Sequence, residues 1–179
     1  MVNNIDLKQG DVFCSENTAF FSKMINIMQK INSKDNCSVY SHAGIITSFD
    51  GATFEALSTI RADHLKRRKG QKVLIARPIA KSITGGAITA LDKKLAITEI
   101  VSQYNGKRYP WWRIILHAIP FAAKYVSAHG RFLVCSELVA KYLYLINARH
   151  HHYTGTDPDD LADEWIRWKN FEIIFEGVL

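Results

Sequence analysis

Phe49-Asp50-Gly51-Ala52 is the segment that most constrains this fold. Asp-Gly readily adopts the positive-φ geometry that turns one twisted strand back on another. Here it separates two strand-like stretches, Val39 to Ser48 and Thr53 to Ile60, so a hairpin and hence an antiparallel sheet are expected. A short strand at Gly10-Asp11-Val12-Phe13 precedes it, Lys72 to Ile79 follows it, and Phe171 to Val178 finishes the chain. Apolar residues recur at helical spacing over Ser15 to Ile31, over Thr84 to Tyr104 after the Gly85-Gly86 break, and over Cys135 to Ile146. Asp157-Pro158-Asp159-Asp160-Leu161 reads as a turn and helix start, with carboxylates where the helix dipole favours them. No repeat, low-complexity tract or linker divides the sequence. The expectation is one α+β domain over residues 1–179, a small antiparallel sheet packed against helices.

Composition narrows the class further. The hydrophobic fraction is 47% and the charged fraction 22%, as in an ordinary globular domain. A net charge of +6 favours anionic partners and says nothing about fold. The basic run from His64 to Lys72 reads as a solvated loop between strands, and no helix-turn-helix, zinc-finger or aromatic RNA-binding signature accompanies it, so no nucleic acid is expected. The polar start, Met1 to Gly10, is not a secretory signal. Cys14, Cys37 and Cys135 cannot all pair with one another, and no Cys-x-x-Cys occurs, which points to free thiols in a cytoplasmic setting. Trp111 to Val126 is broken by Arg113, His117, Pro120 and Lys124, so it does not span a membrane. Those four positions share one helical face. Either a helix packed on its own core or an interfacial helix, with Trp111 and Trp112 meeting substrate or a membrane surface, follows from that pattern. His150-His151-His152 reads as a surface tract, and neither a metal nor another cofactor is expected, because no second ligand cluster or glycine-rich phosphate loop is present.

The chemistry centres on a thiol. Cys135 falls at a strand-to-helix junction in Phe132-Leu133-Val134-Cys135-Ser136-Glu137, where free N–H groups and the helix dipole lower a thiol pKa. His42 lies on the strand Val39 to Ser48, and alternation puts Tyr40, His42 and Gly44 on one face. The Asp50-Gly51 turn can bring Glu55 back beside His42. Thiol, imidazole and carboxylate then form a generalised triad. From spacing alone, a cysteine at a helix start and a histidine on a strand are more often structural than catalytic. Cys14-Ser15-Glu16 repeats the Cys135-Ser136-Glu137 tripeptide, and local physics barely separates the two.

Cys135-Ser136-Glu137-Leu138-Val139 resembles the nucleophile motif of the NlpC/p60 cysteine peptidases. The order His42, Glu55, Cys135 is similar to the circularly permuted YiiX/YebB-like branch of that papain-fold family. Gly10-Asp11-Val12, Tyr40-Ser41-His42-Ala43-Gly44-Ile45, Glu55-Ala56 and Asp157-Pro158-Asp159-Asp160-Leu161 match in the same order. The resemblance implies Cys135 as nucleophile, His42 as base, Glu55 as its orienting partner and Tyr40 as an aromatic near the oxyanion. It prefers Cys135 to Cys14. It implies a hydrolase that cleaves an amide or ester through a thioester, on a peptide, isopeptide, lipid or N-acyl substrate. An acyltransferase and a non-catalytic binding module for anionic lipid or nucleic acid are the rival readings. Val134 and Glu137 depart from the unpermuted motif, and Pro110 to Ser127 has no counterpart in the family, which bears on substrate choice.

Overall fold

The computed structural model describes residues 5–16, 39–108, 134–150 and 156–179. Within them the strands β1 (Val12–Ser15), β2 (His42–Ile46), β3 (Ala52–Ala56), β4 (Ile60–His64), β5 (Lys72–Pro78) and β6 (Phe171–Val178) form one sheet. Its order is β4-β3-β2-β1-β5-β6, and every neighbouring pair is antiparallel. Among the described residues three α-helices accompany it: α1 (Ala90–Tyr104), α2 (Cys135–Leu145) and α3 (Pro158–Arg167). The α+β expectation holds.

The expected hairpin is β2–β3. Gly51 takes φ +92° at the turn, and Thr47 N–H donates to the Ala52 carbonyl at 2.8 Å. The return strand is shorter than Thr53 to Ile60. It stops at Ala56, bends through Leu57 and Ser58, and restarts as β4. That strand takes in His64, the first residue of the supposed solvated loop. Arg61 and Asp63 are the polar alternates of an edge strand, a composition that protects an open edge from pairing. The rest of the basic run forms a 3₁₀ turn, Leu65–Arg68, with Leu65 and Arg68 buried. Helix α1 starts later than Thr84 because Thr89 and Asp92 cap each other: Asp92 N–H donates to Thr89 Oγ1 at 3.1 Å, and Thr89 N–H to Asp92 Oδ2 at 2.9 Å. Asp157 caps α3 in the same way, with Pro158 in the first turn. Apart from Ser15, which ends β1, and Glu16, the helix expected over Ser15 to Ile31 lies outside the described residues, as do Cys37, the segment from Trp111 to Val126, His151 and His152. His150 is exposed and stacks on Trp168 with ring centroids 6.1 Å apart.

Alternation along the strands divides the interior in two. Val12, Cys14, Ala43, Ile45, Phe54, Ala56, Leu74 and Ala76 face the helices, packing with Leu138, Val139, Tyr142 and Trp165. Phe13, Ile46, Val73 and Ile75 face the other way, against Leu65 and Leu179. His42, Gly44, Thr53 and Glu55 alternate with the first set. Tyr40 does not follow them. The strand begins at His42, and Tyr40 packs with the helix-side cluster, so the expected face of Tyr40, His42 and Gly44 loses its first member.

Candidate active site

Cys135 opens helix α2, and Val134 is its N-cap residue with extended backbone angles. The first intrahelical bond runs from Leu138 N–H to the Val134 carbonyl at 2.9 Å, so the N–H groups of residues 135–137 have no helical acceptor. Glu137 closes the end from the third position by accepting the Val134 N–H at 3.1 Å. Ser136 Oγ donates to the Thr156 carbonyl at 2.6 Å and ties the helix start to the segment before α3.

The β2–β3 register ends with Gly44 opposite Glu55. One residue beyond, the Ala43 N–H and, at the helix start, the Ser136 N–H favour the Cys135 thiolate. The thiol therefore stands at the end of the ladder, beside the first residue of β2. That residue is His42. Its Nε2 meets Glu55 Oε2 at 2.6 Å, and its interaction with the Cys135 thiol raises its own pKa. Gly44 makes the carboxylate's approach possible. A Cβ there would come within 2.6 Å of the Phe13 ring and 2.9 Å of Glu55 Cγ. The second Glu55 oxygen accepts from Thr53 Oγ1 at 2.5 Å, and Arg68 Nη2 donates to Oε2.

Electrostatics follow from this row. Burial alone would lower the His42 pKa, but hydrogen bonds to Cys135 and Glu55 outweigh it and raise it to about 9. Burial would raise Glu55. Its hydrogen bond to His42 and the charges of His42 and Arg68 instead hold it at about 2. Burial also opposes the Cys135 thiolate, and the His42 hydrogen bond and charge overcome it, so the thiol pKa falls below its ordinary value. Both shifts favour the thiolate of Cys135 beside the imidazolium of His42.

Cys14 contrasts with it. It lies inside β1, fully buried, with its S–H donating to the Pro158 carbonyl at 3.3 Å. Burial, then the neighbouring Cys135, Asp159 and Asp157, push its pKa well up. Tyr40 packs in the helix-side cluster that also holds Cys135. Its hydroxyl has no partner among the described residues, and its pKa is raised by burial and then by Glu176, Cys14, Asp159 and Glu16, none of them in the triad. Trp111 and Trp112 lie outside the described residues. Sequence reasoning missed Arg68, hidden in a run of exposed bases. The only signal was its spacing of three from Leu65.

Among the described residues no three His, Cys, Asp or Glu side chains converge as a metal-ligand set. Nor is any helix there long and apolar enough to cross a membrane.

No family model matches the sequence, and no curated protein matches it. Among solved structures, the metalloprotein YiiX from Escherichia coli O157:H7 is similar over 97% of this chain and 99% of that one, with a TM-score of 0.59 and 16% sequence identity. At that identity the likeness is one of architecture. The chain shares a YiiX-like α+β fold from end to end.

Proposed function

We propose that this chain is a cysteine-dependent acyl hydrolase of the permuted, papain-like NlpC/p60 type, working in a reducing, cytoplasmic setting. The observation that carries the reading is the unbroken row Cys135, His42, Glu55, a thiol at a helix N-terminus joined to an imidazole whose other nitrogen is held by a buried carboxylate. Such a row does what nucleophilic acyl transfer requires. The Cys135 thiolate attacks the carbonyl carbon of an amide or ester, and the carbonyl π electrons move to oxygen. The Cys135 N–H, without a helical acceptor, is a donor for that oxyanion. As the tetrahedral intermediate collapses, the C–N or C–O bond breaks and His42 gives its proton to the leaving group. A thioester on Cys135 remains. Neutral His42 then takes a proton from water, which attacks the thioester and restores the thiol. If a second nucleophile replaces water, the same site transfers the acyl group.

The substrate class is a peptide or isopeptide amide, or a lipid or N-acyl group. Trp111 to Val126, with its basic face, is the segment to vary in a liposome co-sedimentation assay, where equal negligible binding by wild type and a Trp111/Trp112 double alanine variant removes the lipid alternative.

YiiX is described as a metalloprotein, and the donors of this row decide whether a metal fits here. His42 Nε2 is committed to Glu55, and among the described residues no three His, Cys, Asp or Glu side chains gather around a point. The described residues do not fit a metal.

The deciding experiment is labelling of the full chain with acyl-amide and stem-peptide electrophiles, followed by peptide mass spectrometry. Covalent capture on Cys135 by one probe class is expected. Capture on Cys14, or on no thiol as for a binding module, overturns the assignment.

A further inference from the structure

Of the run Lys66-Arg67-Arg68-Lys69, only Arg68 is withdrawn from water, at 6% exposure. In a 3₁₀ turn residues three apart lie above one another. Leu65, fully buried, therefore carries Arg68 in on the same side. The guanidinium Nη2 donates to Glu55 Oε2, the oxygen that also meets His42 Nε2 at 2.6 Å. Its Nε has no partner among the described residues. A buried ion pair with an unpaired donor is a poor source of stability, since desolvation offsets most of the attraction. Its place behind the triad gives it another use.

We propose that Arg68 is a positioning residue for the Cys135–His42 pair, holding Glu55 as the charged partner of His42 and balancing the charge of the buried row. The inference rests on the thiol–imidazole reading above. In the resting state thiolate, imidazolium, carboxylate and guanidinium alternate in sign and sum to zero. Without the guanidinium the row carries a net negative charge on largely buried groups. One proton must then be taken up. On Glu55 it removes the counter-charge of the imidazolium, and on Cys135 it removes the nucleophile. Either way the thiolate is lost at a pH where the wild type keeps it.

Other charges nearby act alike in all variants. From β1, Cys14 faces Cys135, and from α3, Asp157 and Asp159 face Cys14. Asp157 is raised to about 6 by burial and Asp160. On the Arg68 side, Asp63 of β4 is paired with Arg67 at 2.9 Å, and His64 Nδ1 accepts the Lys66 N–H at 3.1 Å.

The test is the rate of iodoacetamide alkylation at Cys135 across about pH 4 to 10, read by peptide mass spectrometry on the full chain with thermal melts as the fold control. Arg68→Gln is expected to move the midpoint up by at least about one unit, about a tenfold loss of rate below the midpoint. Arg68→Met preserves the volume of the stem, and whichever neutral variant melts cooperatively carries the result. Arg68→Lys, which keeps the charge without the planar fork, is expected between wild type and the neutral variants. A folded neutral variant with the wild-type midpoint overturns the proposal, and so does Arg68→Lys titrating no lower than Arg68→Gln. A wild-type thiol that titrates like free cysteine sinks the thiol–imidazole reading instead, whatever Arg68 does.

Discussion

Cys14-Ser15-Glu16 and Cys135-Ser136-Glu137 are the same three residues in two settings. In the first, the cysteine is a strand residue whose S–H goes to a carbonyl, and the Ser15 hydroxyl is buried without a partner among the described residues. Glu16 is exposed, its N–H donating to the Lys72 carbonyl at 2.8 Å. In the second, the cysteine opens a helix, the serine anchors that opening to Thr156, and the glutamate caps it. The tripeptide carries no reactivity of its own. On the proposed reading, reactivity comes from the free N–H groups of a helix start and from a histidine that another strand presents. A strand offers neither, because its N–H groups belong to the ladder.

The comparison breaks most visibly at the sulfur. Cys135→Ser is expected to lower turnover of a captured probe substrate by at least about 10³-fold with the melt still cooperative, while Cys14→Ser stays within about twofold of wild type. The reverse pattern would exchange the two thiols. Next comes the partner that only Cys135 has: His42→Gln should cost about 10² to 10⁴ in turnover and return Cys135 alkylation to the slow rate of Cys14. A Cys135 that stays fast in that variant would show that the helix start alone activates it.

The pH profile sharpens the same contrast. Turnover requires thiolate and imidazolium together. It should fall on the acid side as Cys135 takes up a proton, below the ordinary thiol range, and on the alkaline side as His42 loses its proton near 9. Linkage gives the matching stability change. His42 is raised when folded, so its contribution is full below its ordinary pKa and fades as pH climbs through about 9. Glu55 is depressed, so its contribution is full above its ordinary pKa and fades as pH drops toward about 2. A turnover profile that rises monotonically to high pH would rule out the ion pair as the working state.

Gly44→Ala is a smaller perturbation, about tenfold to a hundredfold in turnover, because its methyl must displace either the Phe13 ring or the Glu55 stem. Unchanged kinetics there would mean that Glu55 need not approach His42. Smallest is Cys14→Ala, which removes one buried sulfur and should cost about 1 to 2 kcal/mol in denaturant melts with activity kept. A large loss of activity would give Cys14 a role its surroundings do not indicate.

What could be read in advance follows the range of each interaction. The Asp50-Gly51 turn fixes a local hairpin, and two-residue alternation then places Glu55 on the side of His42. Cys135 is legible because a helix start is a local event. Tyr40 misleads because alternation holds only inside a strand, and β2 begins two residues later. Strand β4 escapes notice because five residues with charges at alternate positions resemble a loop. Arg68 is illegible for a different reason. Its neighbours are all basic and exposed, and only the depth of Leu65 decides that this one turns inward.

The first turn of α3 has a bearing on how the protein comes into being. Asp159 Oδ1 accepts the N–H groups of Val39 and Tyr40 at 3.2 and 3.4 Å, Pro158 takes the Cys14 S–H, and Thr156 takes the Ser136 hydroxyl. Three segments distant in sequence are thus joined by one late stretch, with contacts that span up to 144 residues. Pairings of such separation form late, after the loops between them have closed. During synthesis, a chain that has already produced His42, Glu55 and Cys135 still lacks the stretch that fastens them. The site proposed above is therefore one that only the later docking of α3 completes.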